Sequence, residues 1–173
     1  DDFLPQEDFL NMKNLLESLA FPWYFNGKTS INVKDYENEE WDFQFCHSFY
    51  SMKDYGWCTS QNNINILTPL ISKIYPLSIL NIKANLNTKA PKNYNYAKHV
   101  DHDHGSLART AVYYINTNDA KTFLELDKNN IIEVESIENR LVWFESSINH
   151  WGQSPTNIKN RMLINLNYIP IPN

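Results

Sequence analysis

Apolar and polar positions repeat with two different periods along the chain, and the period changes near residue 77. In the first part Phe9, Met12, Leu16 and Leu19, with Leu15 beside them, recur at helical spacing behind Pro5, which predicts a helix over residues 6–20. Residues 26–40 are polar, include Gly27, and read as loop with at most a short strand. Residues 41–50 alternate, which places Trp41, Phe43 and Phe45 on one face of a strand. Residues 51–63 read as a polar surface loop dotted with Tyr55 and Trp57, and residues 68–75 as a second helix with Pro69 in its first turn. A lid over a substrate is the alternative reading of that loop.

Beyond residue 77 short apolar or alternating segments follow one another: 78–86, 96–101, 110–116, 122–126, 131–134, 141–144 and 161–168. Turn residues such as Pro91, Gly105, Asn118-Asp119, Asn129-Asn130 and Gly152 separate them. Many short strands without intervening helices predict a mainly β fold, a jelly roll with the N-terminal helices on one side. No internal repeat, linker or second domain interrupts the pattern. One domain over 1–173 is therefore expected, with N-terminal support over about 1–77 and a jelly-roll core over about 78–170.

Composition narrows the partners. With 15 basic against 20 acidic residues and a net charge of −5, the chain has no basic cluster to hold nucleic acid or an anionic membrane. No apolar run is long enough to span a bilayer and no signal-type stretch opens the chain, so a soluble, cytoplasmic protein is expected; a segment before Asp1 stays open. Cys46 and Cys58 lack metal spacing and read as free thiols. Among the basic residues only Arg109, Arg140 and Arg161 are arginine, so each raises the question of whether a planar, permanently charged fork is needed there.

The densest chemical signal is His99-Val-Asp101-His102-Asp103-His104. On a strand His99 and Asp101 share a face, about 6–7 Å apart at the backbone. A divalent metal needs at least a third protein ligand, and the one histidine further downstream is His150. Two histidines and one carboxylate on one side of a metal suit a non-haem Fe(II) oxygenase. An H-x-D pair alone, in a polar His/Asp string, is more often a solvated turn than a metal site. Arg161 opens a strand whose second face, Arg161, Leu163, Asn165 and Asn167, is unexpectedly polar. Either that face meets solvent, or it lines a pocket in which Arg161 forks onto a carboxylate. In the strand around 110–116, one of Tyr113 and Tyr114 can offer a hydroxyl to the same carboxylate while the other packs.

Together His99-Val-Asp101, Thr110-Ala-Val-Tyr-Tyr-Ile-Asn116, Asn139-Arg-Leu-Val-Trp-Phe144, Asn149-His150 and Arg161-Met-Leu-Ile-Asn-Leu-Asn-Tyr168 resemble, in order and rough spacing, the Fe(II)/2-oxoglutarate-dependent dioxygenases. The likeness is greatest to the prolyl 4-hydroxylase-like branch and covers about residues 78–168. It implies a double-stranded β-helix, a cupin-like jelly-roll barrel. It implies Fe(II) ligated by His99, Asp101 and His150, with 2-oxoglutarate as cosubstrate and O2 as oxidant. Arg161 falls where the family binds the distal carboxylate of 2-oxoglutarate, and Tyr114 matches the tyrosine that hydrogen-bonds the same group. Asn85 resembles a strand position that sometimes contacts the cosubstrate. The implied activity is hydroxylation of a C–H bond in a small-molecule or peptide substrate, a prolyl residue being one candidate, with 2-oxoglutarate converted to succinate and CO2.

The sequence departs from the family pattern in three places. His102 and His104 crowd the first motif, Asp119-Ala-Lys-Thr replaces a glycine-rich turn, and Glu138-Asn-Arg stands where a glycine is usual. Two other readings stay open: a cupin-type metal enzyme using His102 and His104, which would leave Arg161 without a purpose, and a non-catalytic jelly-roll binding module. Among the remaining polar and aromatic residues, His47 reads as packed or at a rim, Arg140 as a surface pair, and Trp143 and Trp151 as core or pocket wall.

Overall fold

The computed structural model describes residues 1–29, 40–54, 56–101 and 107–172. The first helix, α1 (Gln6–Glu17), carries Glu7 and Asp8 in its first turn, where the helix dipole favours them, and buries Phe9, Met12 and Leu16. It ends sooner than its apolar spacing predicts: Ser18 is already extended, and Leu19 is left fully exposed. Two short helices follow, α2 (Gln61–Asn65) inside the stretch read as loop, and α3 (Thr68–Ile74), which has Pro at its N-terminal turn and buries Leu70.

Among the described residues ten strands form two antiparallel sheets. The strands are β1 (Tyr24–Asn26), β2 (Gln44–Ser51), β3 (Gly56–Trp57), β4 (Ser78–Thr88), β5 (Arg109–Tyr114), β6 (Lys121–Asp127), β7 (Asn130–Glu135), β8 (Leu141–Glu145), β9 (Asn149–Gly152) and β10 (Asn160–Ile169). The main sheet runs β1-β2-β4-β10-β5-β8, with β3 on β2, and the smaller one runs β7-β6-β9. These are the two facing sheets of a jelly roll. The main sheet's outer face packs under α1 and α3: Ile82 and Ala84 of β4, Ala111 and Tyr113 of β5, and Met162, Ile164 and Leu166 of β10 join Phe9, Met12, Leu16 and Leu70. Between the sheets a smaller apolar cluster gathers Val112, Tyr114, Leu124, Phe144 and Leu163.

Several expectations change in detail. Residues 96–101 form no strand; two isolated bridges, Asn95 to Gln153 and His99 to His150, tie them to β9 and the residue after it. In β2 the buried face is that of His47 and Phe49, while Phe43 and Phe45 cluster with the exposed Phe25 of β1. The two turns that depart from the family pattern are held by side chains. Asn139 itself takes a positive φ of 57°, which asparagine tolerates, and its amide bonds Leu4 in both directions and receives the Tyr113 hydroxyl. The Asn118 carboxamide oxygen accepts the Ala120 N–H, and Asp119 accepts the backbone N–H and the hydroxyl of Thr156. Neither turn needs glycine to close. Among the described residues no helix is long and apolar enough to cross a membrane.

Candidate metal centre

Three donors converge between the sheets. Strand β9 pairs with β6 with His150 opposite Leu124, which fixes His150 on the inner side of the smaller sheet. The segment before Asp101 then bonds His150 reciprocally, His99 N–H to the His150 carbonyl at 3.0 Å and His150 N–H to the His99 carbonyl at 2.9 Å. That bridge sets the two imidazoles 4.5 Å apart between ring centroids. Asp101 completes the group: its Oδ1 lies 3.6 Å from His99 Nε2 and 3.5 Å from His150 Nε2. The three donor atoms all lie within 4.8 Å of one another.

The surroundings aim each donor. The Nδ1 of His99 donates to the Ala97 carbonyl at 2.9 Å, and that of His150 to the Ile148 carbonyl at 3.0 Å, so both rings turn the Nε2 lone pair inward. The Oδ2 of Asp101 receives the Thr110 hydroxyl at 3.0 Å and the Asn167 amide at 2.9 Å, which leaves Oδ1 for the shared position. Phe144 packs edge-on against His150. Burial works to raise the Asp101 carboxyl, but the facing His150 and His99, with the Asn167 amide, outweigh it and hold the group well below its ordinary value. For His99, burial works downward, and Asp101 with the Ala97 carbonyl brings the net shift upward.

A cavity of ≈ 90 Å³ opens beside these donors, and Arg161 closes its other end. Arg161 is 2% exposed. Its Nε donates to the Ser136 hydroxyl at 2.9 Å and Nη2 to the Thr122 hydroxyl at 2.8 Å. The Tyr114 hydroxyl donates to the same Thr122 oxygen at 2.8 Å, and the guanidinium carbon stands 5.7 Å from the Tyr114 ring centre. Among the described residues no carboxylate pairs with this buried cation. Burial accordingly lowers its pKa, partly offset by Tyr114. Gly152 makes the arrangement fit: a Cβ there would lie 2.8 Å from Arg161 Nη1.

The structure thus brings together His99, Asp101, His150 and Arg161, and backs the last with Tyr114. Tyr114 is wholly buried behind Thr122 and is not part of the cavity wall, whereas Asn85 is. Reading the sequence missed Thr110, Asn167, Thr122, Ser136 and Gly152, whose roles come from strands meeting across the fold. The polar face of β10 was the one signal, since Asn167 belongs to it. His47 is packed, bonded to the Pro22 carbonyl and the Thr59 hydroxyl at 2.8 Å each. Arg140 pairs with Asp1, and Cys46 and Cys58 are free thiols. Trp151 lines the cavity, but Trp143 is 53% exposed under Arg109 rather than core or pocket wall. His102 and His104, and Tyr55 of the 51–63 segment, lie outside the described residues.

Two neutral imidazoles and one carboxylate oxygen, each fixed by an outer partner, suit a divalent first-row metal with open positions facing the cavity. No family model and no curated protein sequence matches the chain. Solved structures do. A Pseudomonas putida prolyl-4-hydroxylase is similar at 12% identity and a TM-score of 0.62, covering 98% of this chain and 90% of that one. A 2OG-Fe(II) oxygenase family oxidoreductase from Burkholderia pseudomallei is similar at 7% identity and a TM-score of 0.67, covering 96% and 81%. A Trichoplax adhaerens prolyl hydroxylase, solved with a hypoxia inducible factor peptide fragment, is similar at 16% identity and a TM-score of 0.60, covering 98% and 81%. The chain shares the jelly-roll fold of these proteins.

Proposed function

We propose that this protein is a non-haem Fe(II)- and 2-oxoglutarate-dependent dioxygenase that hydroxylates a C–H bond. The balanced reaction takes 2-oxoglutarate, O2 and R–H to succinate, CO2 and R–OH, one oxygen atom entering succinate and the other the alcohol. The observation that carries this reading is Arg161, a buried guanidinium whose partners among the described residues are hydroxyls, opening on the same cavity as two histidine nitrogens and one carboxylate oxygen. A buried cation without a counter-charge is costly, and a dicarboxylate ligand offsets that cost. The prolyl hydroxylases among the structural neighbours make a prolyl residue one candidate for R–H.

His99, Asp101 and His150 would hold Fe(II), which when bound supplies the oxygen activation that no side chain of this cavity provides. The Nδ1–H bonds of both histidines fix the ring orientation and aim Nε2 at the shared position, and Thr110 with Asn167 holds Asp101 to one free oxygen. Arg161 binds the distal carboxylate of 2-oxoglutarate, and Tyr114, through Thr122, fixes the guanidinium in place. Asn85 lines the same wall and contacts the cosubstrate. On this reading residues 78–170 are the catalytic jelly roll and residues 1–77 its support. Anaerobic Fe(II) titration and succinate formation from 2-oxoglutarate test it. Binding and succinate formation, both lost in Asp101→Ala, are expected. A protein that takes up no Fe(II) and forms no succinate, or that keeps its metal in Asp101→Ala and loses it in His102→Ala, overturns it.

A further inference from the structure

The cavity has a second cation that neither the metal site nor Arg161 uses. Lys83 of β4 lines it, partly buried, and no carboxylate pairs with it among the described residues. The register sets Lys83 directly beside Asn165 of β10, and Asn85 beside Leu163, on the face that looks at the metal donors. Asn167, which holds Asp101, lies one row of same-face residues further along β10. The carboxamide oxygens of Asn85 and Asn165 are both buried and accept no hydrogen bond.

Counting the ionisable groups of the wall gives the chemistry of the missing partner. Among the described residues Asp101 is the only acid that lines the cavity, and it is engaged by the two histidines. Arg161 answers to the distal carboxylate of the cosubstrate, and Asn85 to the same molecule. What is left is one ammonium, Lys83, and, beside it, one carboxamide oxygen lacking a donor, Asn165 Oδ1. A ligand that satisfies both carries a carboxylate with a hydrogen-bond donor close by. A peptide prolyl residue offers neither, since its carboxyl and its nitrogen are both in amide bonds.

We propose, resting on the dioxygenase reading above, that the hydroxylated substrate is a small carboxylic acid with an adjacent donor, a free α-amino acid being the simplest, with its carboxylate on Lys83 and its ammonium on Asn165. The ligand's charge thereby decides specificity, and the peptide-acting chemistry of the fold's relatives does not carry over. The test uses the purified full chain loaded anaerobically with Fe(II) and 2-oxoglutarate. Free L-amino acids, their carboxamides and a capped prolyl peptide are titrated by calorimetry, and 2-oxoglutarate affinity is measured in parallel. At least one free acid should bind about ten- to a hundredfold tighter than its carboxamide. Lys83→Met should erase that preference and Lys83→Arg should retain part of it, with thermal melts confirming that both fold. The proposal is overturned if no acid is preferred over its carboxamide, if the capped peptide binds instead, or if Lys83→Met weakens 2-oxoglutarate rather than the acid. Failure to bind Fe(II) and 2-oxoglutarate at all sinks the dioxygenase reading and this proposal with it; their binding without an acid preference sinks this proposal alone.

Discussion

The two faces of the main sheet are made by the same three strands, β4, β10 and β5, yet they are chemically opposite. Toward α1 and α3 these strands present Ile82, Ala84, Ala111, Tyr113, Met162, Ile164 and Leu166. Toward the smaller sheet they present Lys83, Asn85, Thr110, Arg161, Asn165 and Asn167, with Val112, Tyr114 and Leu163 between them. Much of both faces is buried, so solvent does not explain the polarity of the second. The first face gains stability from removing apolar area from water. The second gives up part of that gain to hold unpaired donors, acceptors and charge ready for ligands. Comparing the two teaches where to look for function in this fold: at buried polar groups whose partners are not in the chain.

That contrast is open to test from either side. On the apolar face, Ile164→Ala should have the largest effect, about 2–5 kcal/mol of unfolding free energy by urea denaturation, with the metal donors intact in whatever fraction stays folded. On the polar face, Arg161→Met should do the reverse. Affinity for 2-oxoglutarate, followed by calorimetry, should fall about a hundredfold or more as about 3 kcal/mol of charge pairing is lost. Without ligand the melting temperature should hold or rise, because a buried unpaired cation has gone. A marked loss of stability in Arg161→Met would show the guanidinium to be structural.

A smaller effect is expected from Thr110→Val, which keeps shape but removes one of the two bonds on Asp101 Oδ2. Metal affinity should weaken about 10–100-fold with little change in melting temperature. The smallest test concerns His47, the titratable group set among Phe21 and Phe49 on the apolar side. Burial lowers its pKa below 6.5, partly offset by the Pro22 carbonyl, so the unfolded chain binds the proton more readily. Its contribution is present above that value and is lost as pH falls through the folded one. The melting temperature should therefore drop on acidification from about pH 7 to 5, and His47→Gln should flatten that part of the profile.

The succession of strands and the candidate site residues were legible along the chain because both are written as local patterns. Alternation marks β4, β5, β6, β7, β8 and β10 within a few residues, and H-x-D, a late histidine and a following arginine mark the donors. The failures are equally specific. The exposure of Leu19 was hidden because a helical apolar spacing continues past the point where Ser18 leaves the helix. Residues 96–101 alternate like a strand but make a single isolated bridge, His99 to His150, and no continuous ladder. Trp143 looks like core, and lies outside because β8 is an end strand of the main sheet and the ring faces Arg109.

By itself, then, the sequence indicated the fold class, three candidate donors and the presence of an arginine worth explaining, since periodicity and residue chemistry are properties of neighbours in the chain and the resemblance rests on such local motifs. Only the tertiary structure decided that His150 meets His99 across a bridge, that Arg161 is buried with no counter-charge among the described residues, and that Thr122, Ser136 and Gly152 shape its seat. It also decided that Lys83 and Asn165 stand side by side. Those facts depend on strand register and on the packing of one sheet over another, which join residues tens of positions apart and leave no trace in local spacing.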